Sequence, residues 1–290
     1  MRSRRSPSTR DVLQALLLAG LLPSGAVAAD ALPALDALLD RAGAQAEALE
    51  ERLAVVTATE RHEQKLLFGA ETRPARRRTI VSEVVWVPTG DAMIWAFFRD
   101  VVSVDGTAVA DRSVRLDRLF AHGATAEARL RAGEWLDASA RYNLGPRRTV
   151  NTPVFGLSVL HPRNRRRFRF EHAGTEKKDG VPAARIRFAE QASPALVRTS
   201  AGADLPTLGV LWIEPATGAL VASELHIEAS ARDTRIDVRF RRDERLEAWL
   251  PVEMQEWYGE RGQSERVEAV AHYSNLRRGG TEVEIIFPKR

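Results

Sequence analysis

Thr234-Arg235-Ile236-Asp237-Val238-Arg239-Phe240-Arg241 alternates residue by residue between apolar and charged. Ile236, Val238 and Phe240 point one way; Arg235, Asp237, Arg239 and Arg241 point the other. That period of two belongs to a strand with one buried face, as in an antiparallel sheet. Working outward, short strands are expected at Leu208–Ile213, Ala219–Ala229, Pro251–Tyr258, Glu265–Tyr273 and Thr281–Phe287. Glu214-Pro215-Ala216-Thr217-Gly218 supplies a tight connection between the first two, with Pro early in the turn and Gly at its end. The inner face of this meander would carry Trp212, Leu225, Ile227, Ile236, Val238, Phe240 and Met254.

Upstream, Ala31–Thr59 reads as helix, because Leu35, Leu38, Leu39, Ala42, Ala46, Leu49, Leu53 and Val56 recur at spacings of three and four. Strands are expected at Gln64–Phe68, Thr79–Val87 and Ala92–Val104, and Asp105-Gly106 is a strong hairpin signal. Val109–Tyr142 returns to helical composition, with Asp111 as an N-cap and a second helix over roughly Thr125–Arg141, stopped by Asn143-Leu144-Gly145-Pro146. Thr152-Pro153 opens a short helix to about Leu160, ended by His161-Pro162. Arg166–His172 and Ala184–Glu190 read as strands around the polar turn Lys177–Gly180, and 191–206 reads as a loop. The order of helix, strands, helices and strands defines one α+β domain, a large antiparallel sheet covered by helices on one side.

The chain of 290 residues begins with Arg2, Arg4, Arg5 and Arg10, then an apolar run of 11 residues, Val12–Leu22, and the small-x-small site Ala26-Val27-Ala28. This is the pattern of a signal peptide over residues 1–29, cleaved near Ala28-Ala29, with an uncleaved anchor as the alternative. The run falls short of the ~20 residues that span a bilayer. The expected mature part, 30–290, is then a single periplasmic or secreted domain without a transmembrane segment. Four Arg and Asp11 leave with the leader, a net of +3, so the whole-chain charge of +4 falls to +1. Such a balance argues against nucleic acid as partner. With no cysteine, the fold rests on its core without disulfides.

No catalytic or metal constellation stands out. His62-Glu63 begins a zinc-helix motif, but Leu66 occupies the second histidine position; no metal and no cofactor are expected. Ser158 lacks the glycines of a nucleophile elbow and reads as a packing residue. The carboxylate pairs Glu253/Glu256 and Glu224/Glu228 read as a solvated strand face. The basic run His161–Phe170 admits a strand with a basic outer face, contact with anionic lipid head groups, or nucleic acid, of which export disfavours the last.

Six stretches carry a resemblance: Val55–Gln64 (VVTATERHEQ), Arg99–Phe120 (RDVVSVDGTAVADRSVRLDRLF), Ser139–Pro153 (SARYNLGPRRTVNTP), Leu211–Gly218 (LWIEPATG), Trp249–Tyr258 (WLPVEMQEWY) and Ala269–Arg278 (AVAHYSNLRR). They resemble a group of exported bacterial proteins whose layout is similar to the LolA-like half-barrels, which include outer-membrane lipoprotein carriers. The resemblance implies an incomplete β-barrel, a curved sheet with helices on its concave side, and a hydrophobic ligand: a lipid, an acyl chain or a lipoprotein. Trp95, Phe97, Phe168, Phe170, Trp212, Ile227, Val238, Phe240 and Met254 are the expected ligand-lining residues, and Arg165, Arg167 and Arg169 the expected head-group contacts. Two alternatives stand beside this non-catalytic binding protein. One is an envelope structural or protein-interaction module with a filled core; the other is a hydrolase whose residues converge only in three dimensions.

Overall fold

The computed structural model describes residues 34–52, 56–88, 95–110, 139–145, 148, 150–199, 201–228, 232–260 and 262–278. The expected leader, the helices between Asp111 and Arg141 (apart from a helical Ser139-Ala140) and the strand Thr281–Phe287 lie outside them.

Eleven strands form one antiparallel sheet: β1 (Val56–Phe68), β2 (Arg76–Pro88), β3 (Trp95–Val104), β4 (Thr107–Ala108), β5 (Phe168–Lys178), β6 (Val181–Glu190), β7 (Thr207–Ile213), β8 (Leu220–Glu228), β9 (Arg232–Asp243), β10 (Ala248–Glu260) and β11 (Glu265–Arg278). Their order is β4-β3-β2-β1-β11-β10-β9-β8-β7-β6-β5, so β1 closes onto β11 and the edges β4 and β5 stay apart: the sheet is not closed. Its register shifts at five places, at 57/59, 81/82, 172/175, 212/213 and 251/253. Each bulge bends its strand. Pro251, which has no N–H to give a ladder, sits at one of them within the interior strand β10.

Helices α1 (Leu35–Arg52) and α2 (Phe155–Leu160) join the core formed by one face of the sheet. The α+β half-barrel expected from the sequence is the observed architecture. The alternation read in β9 holds, with Ile236, Val238 and Phe240 at 1%, 3% and 1% exposure. In β2 it does not: Val84, Val85, Trp86 and Val87 are all buried, so this strand is covered on both faces.

Three local readings need correction. The first helix ends at Arg52 rather than Thr59; Val56, Thr57 and Thr59 lie in β1, paired with both β2 and β11. Stiff β-branched side chains and two flanking strands outweigh the continuation of the helical stripe. Thr152 is not a helix cap: α2 starts at Phe155 after Val154, with no side-chain cap. Arg166–Arg167 are not strand, because Pro162–Arg167 is a 3-10 helix whose N-cap His161 accepts from the Arg163 N–H at 3.3 Å through Nδ1.

That 3-10 helix fastens α1. Buried His161 lies 3.0 Å from Glu50, Arg163 donates twice to Glu50, and Arg165 donates to Asp36 at 2.8 Å. Burial lowers the His161 pKa, against the pull of Glu50. Beneath these pairs, Leu38, Leu39, Ala42, Ala46 and Leu49 bury the stripe. In β9, Phe240→Ala should lower unfolding free energy by ~3–5 kcal/mol, the usual cost of an emptied aromatic site, read from urea denaturation.

Candidate functional site

Once β1 begins at Val56, alternation turns Glu60, His62 and Gln64 to the inner face, where their exposures are 0%, 1% and 1%. Glu63 points outward beside His62, as strand geometry demands of adjacent residues. Buried charge is tolerated only when paired and hydrogen-bonded, and each inward group finds its partners across the sheet. Glu60 receives Arg99 of β3 as a two-pronged pair, Nε at 2.7 Å and Nη2 at 3.0 Å. Tyr273 of β11, directly opposite, donates to the same carboxylate at 3.0 Å. Arg99 also donates to the Asn151 side chain and carbonyl at 3.2 and 2.9 Å.

Glu256 of β10 forms the second centre. Tyr258 donates to it at 2.6 Å, Asn151 at 3.5 Å, and Arg148 lies 3.8 Å away. His62 Nε2 faces Glu256 Oε1 at 3.1 Å. Gln64 Oε1 accepts from the Leu144 N–H and from Arg148, so its amide NH2 faces Asn143 Oδ1 at 3.0 Å and His62 Nδ1 at 3.3 Å. A ring that accepts through Nδ1 carries its proton on Nε2, toward Glu256. That Nε2 stands 3.1 Å from Glu256 Oε1 as a charge-proximity contact without hydrogen-bond geometry.

Small residues make these contacts geometrically possible. β1 and β10 stand roughly 10 Å apart, two strand spacings, with β11 between them. At the crossing, β11 carries Ala269 opposite both Gln64 and Glu256, and Ala271 opposite His62. Likewise Ser82 of β2 stands opposite Glu60, between it and β3. Side chains from alternate strands meet over these low points. The stretch before α2 supplies Asn143, Leu144, Arg148 and Asn151, so the network pins that stretch to the sheet.

The electrostatics balance. Burial would raise the Glu256 pKa, but the His62 ring, Arg148 and Arg99 together hold it down, to about 2. Burial works against the Arg99 charge and Glu60 more than offsets it, so the guanidinium stays protonated. Tyr258 and Tyr273 are raised well above the ordinary tyrosine value by burial and by their carboxylate neighbours, so both remain donors. Two carboxylates, Glu60 and Glu256, face two guanidiniums, Arg99 and Arg148, so the acids and bases of the network match in number.

Beside the network lies an aromatic group. Trp86 stacks on Phe97 at 5.5 Å between centroids, and Tyr273 meets both rings edge-on at 5.6 and 6.3 Å. Trp95 lies on the face of Phe97 two residues earlier in β3, and both belong to the same core cluster. The indole nitrogens of Trp86 and Trp95 are buried without a hydrogen-bond partner among the described residues.

Of the residues expected to line a ligand, Trp95, Phe97, Phe168, Ile227, Val238, Phe240 and Met254 share this inner cluster, with Phe170 half-buried against it. Trp212 does not. Alternation along β7 turns Leu211 and Ile213 to the inner core, while Trp212 between them packs outside with Ala183, Val221 and Ala222, under Lys178 and bonded to Glu176. Of the expected head-group arginines, Arg165 is taken by Asp36 and stacks over Phe170 at 5.2 Å, and Arg167 by Glu190 and the Pro194 carbonyl. Arg169 alone is exposed without a partner among the described residues. Glu253 and Glu256 are not one solvated pair: Glu253 faces outward to Arg239 at 2.5 Å, while Glu256 is the buried centre. The missed signal was parity, since Met254, Glu256 and Tyr258 alternate on the inward side of one strand.

The chain is thus an open antiparallel half-barrel with helices on one face and a buried, neutralised polar network inside. No family model and no curated protein matches it. Among solved structures it is similar to an outer membrane lipoprotein-sorting protein domain from Vibrio parahaemolyticus, at 11% identity and TM-score 0.39, over 84% of this chain and 95% of that one. A DUF1329 family protein from Desulfovibrio piger matches at 10% identity and TM-score 0.38, over 86% and 94%. The Pseudomonas aeruginosa MucA/MucB complex matches at 12% identity and TM-score 0.23, over 83% and 99%.

With Glu256 depressed from 4.5 to about 2, its stabilising contribution is complete above pH 4.5 and is lost as pH falls toward 2. At about 1.4 kcal/mol per pKa unit this is on the order of 3 kcal/mol. Urea denaturation should show wild type losing stability steeply across that window, and Glu256→Gln, already weaker at neutral pH, losing distinctly less.

Proposed function

We propose that the chain is a periplasmic or secreted binding protein, exported by a leader at 1–29, that holds a hydrophobic ligand on the inner face of the sheet without transforming it. The ligand class is a lipid, an acyl chain or a lipoprotein. No helix among the described residues is long and apolar enough to cross a membrane. One observation carries the reading: the indole N–H groups of Trp86 and Trp95 are buried and, among the described residues, unpaired within an aromatic group on that face. An unmet buried donor costs ~1–3 kcal/mol, and an acceptor on a bound ligand, such as an acyl carbonyl, removes that cost. The rings supply the apolar contact that such a ligand needs.

A second reading, an envelope protein-interaction module, is favoured by the close packing of the inner face. Ile227, Val238, Phe240 and Met254 share one core with α1 and α2, and Trp86, Trp95 and Phe97 belong to it too, none exposed by more than 6%. The binding reading centres on β2 and β3, where the indoles lack partners among the described residues.

Protein recovered from cell envelopes and extracted for mass spectrometry should release lipid, and the apoprotein should take up a fluorescent fatty acid. Trp86→Phe with Trp95→Phe should weaken uptake by about tenfold. Clean extracts together with no uptake would refute the binding reading, and a stoichiometric protein partner without lipid would establish the second.

A further inference from the structure

The outer face of the sheet carries a concavity of about 540 Å³ over β1, β11, β10 and β9. Its floor is one cross-strand row: Lys65 opposite Glu268, Glu268 opposite Trp257, Trp257 opposite Arg235. Trp257 is 37% exposed, a large apolar ring on an otherwise charged surface. Strand side chains ordinarily stand up from the sheet, but this indole lies down along it. A Cβ built on Gly259 would sit 2.5 Å from Trp257 Cη2 and 3.0 Å from Cζ2, so the ring occupies the space that a side chain at 259 would fill. One ring face rests on the strand and the other looks into the concavity.

The rim charges are almost all spent. Glu63 pairs with Arg61, Glu268 with Arg266, and Asp237 with Arg235, at 3.0, 3.0 and 2.8 Å. Lys65 is exposed and has no ion-pair partner among the described residues. It stands two strands from Trp257, roughly 10 Å away.

We propose that this outer concavity is a glycan site, distinct from the inner face, for an oligosaccharide carrying a carboxylate sugar. A pyranose offers an apolar C–H face and a rim of hydroxyls. The flat, half-exposed indole matches the first, and the carboxylates, Gln255 and Arg235 around it match the second. An acyl chain would leave those polar groups unmet, and a nucleic acid, with a phosphate at every unit, would need a row of unpaired cations where this site offers Lys65. The lone unpaired Lys65, one sugar's length from the platform, takes the carboxylate of the neighbouring unit.

Full-length exported protein is titrated with hyaluronan tetrasaccharide, which alternates neutral and acidic sugars, and with neutral chitotetraose, by calorimetry and tryptophan fluorescence. Both should bind, the acidic one roughly three- to fivefold tighter at low salt, the span of an exposed ion pair. Trp257→Ala should weaken both by about tenfold or more, while Trp257→Phe, which keeps an aromatic face, should retain most of the affinity. Lys65→Gln should leave chitotetraose unchanged and bring the two ligands level. Thermal denaturation confirms that each variant folds. Absence of binding to either sugar, or binding untouched by Trp257→Ala, overturns the site; equal affinity for the two sugars in the wild type overturns the acidic ligand class. Lipid extraction and fatty-acid uptake are read separately, so the inner-face reading stands or falls independently.

Discussion

Two carboxylates inside a β-sheet core, Glu60 and Glu256, set the terms for half of this structure. A buried carboxylate without partners is untenable, whereas a paired and hydrogen-bonded one is stable. Satisfying both requires groups from β1, β3, β10, β11 and the stretch before α2, segments far apart in sequence. The network therefore specifies which strands lie near which, and where Asn143, Arg148 and Asn151 must rest. Ala269, Ala271 and Ser82 are as necessary as the charged residues, because a larger side chain at any of them would stand between the partners.

The sheet divides its two faces between different physical tasks. Around β7 to β9 the inner face is an apolar core shared with α1 and α2. Around β1, β2, β3, β10 and β11 it carries the polar network and the aromatic group. The outer face of β9 to β11 is held by surface pairs such as Arg235–Asp237 and Arg239–Glu253, each worth little alone in water. Most of the basic run that invites a lipid or nucleic-acid reading turns out to be internal fastening. His161 and Arg163 hold Glu50, Arg165 holds Asp36, and Arg167 holds the buried Glu190, which in turn accepts from Leu196 and Thr207 and fixes the loop after β6.

Much of the fold was legible. The meander from Thr207 to Arg278 with its turn after Glu214, the hairpin turn at Asp105-Gly106 between β3 and β4, and the apolar stripe of α1 all follow local patterns that tertiary contacts leave intact. Reading failed where a local pattern met a stronger distant one. The helical stripe runs on through Val56, yet pairing with two strands claims that residue for β1. Trp95 and Phe97 lie on the inner face and Trp212 on the outer one, because alternation within β7 sets Trp212 against Leu211 and Ile213, and which set turns inward is decided by pairing across strands.

The candidate site was scattered in plain view. The stretches VVTATERHEQ, RYNLGPRRTVNTP and EMQEWY, which carried the resemblance, each place residues in one buried network. By itself the sequence determined the class, an α+β domain with one large antiparallel sheet, because period and turn chemistry act between neighbours in the chain; the half-barrel came from the resemblance. Only the tertiary structure decided that Glu256 is a buried centre rather than a surface charge, and that Arg165 is a fastener rather than a ligand contact. Charge pairing acts through space, and its partners are chosen by strand order and register, which alternation within one strand does not encode.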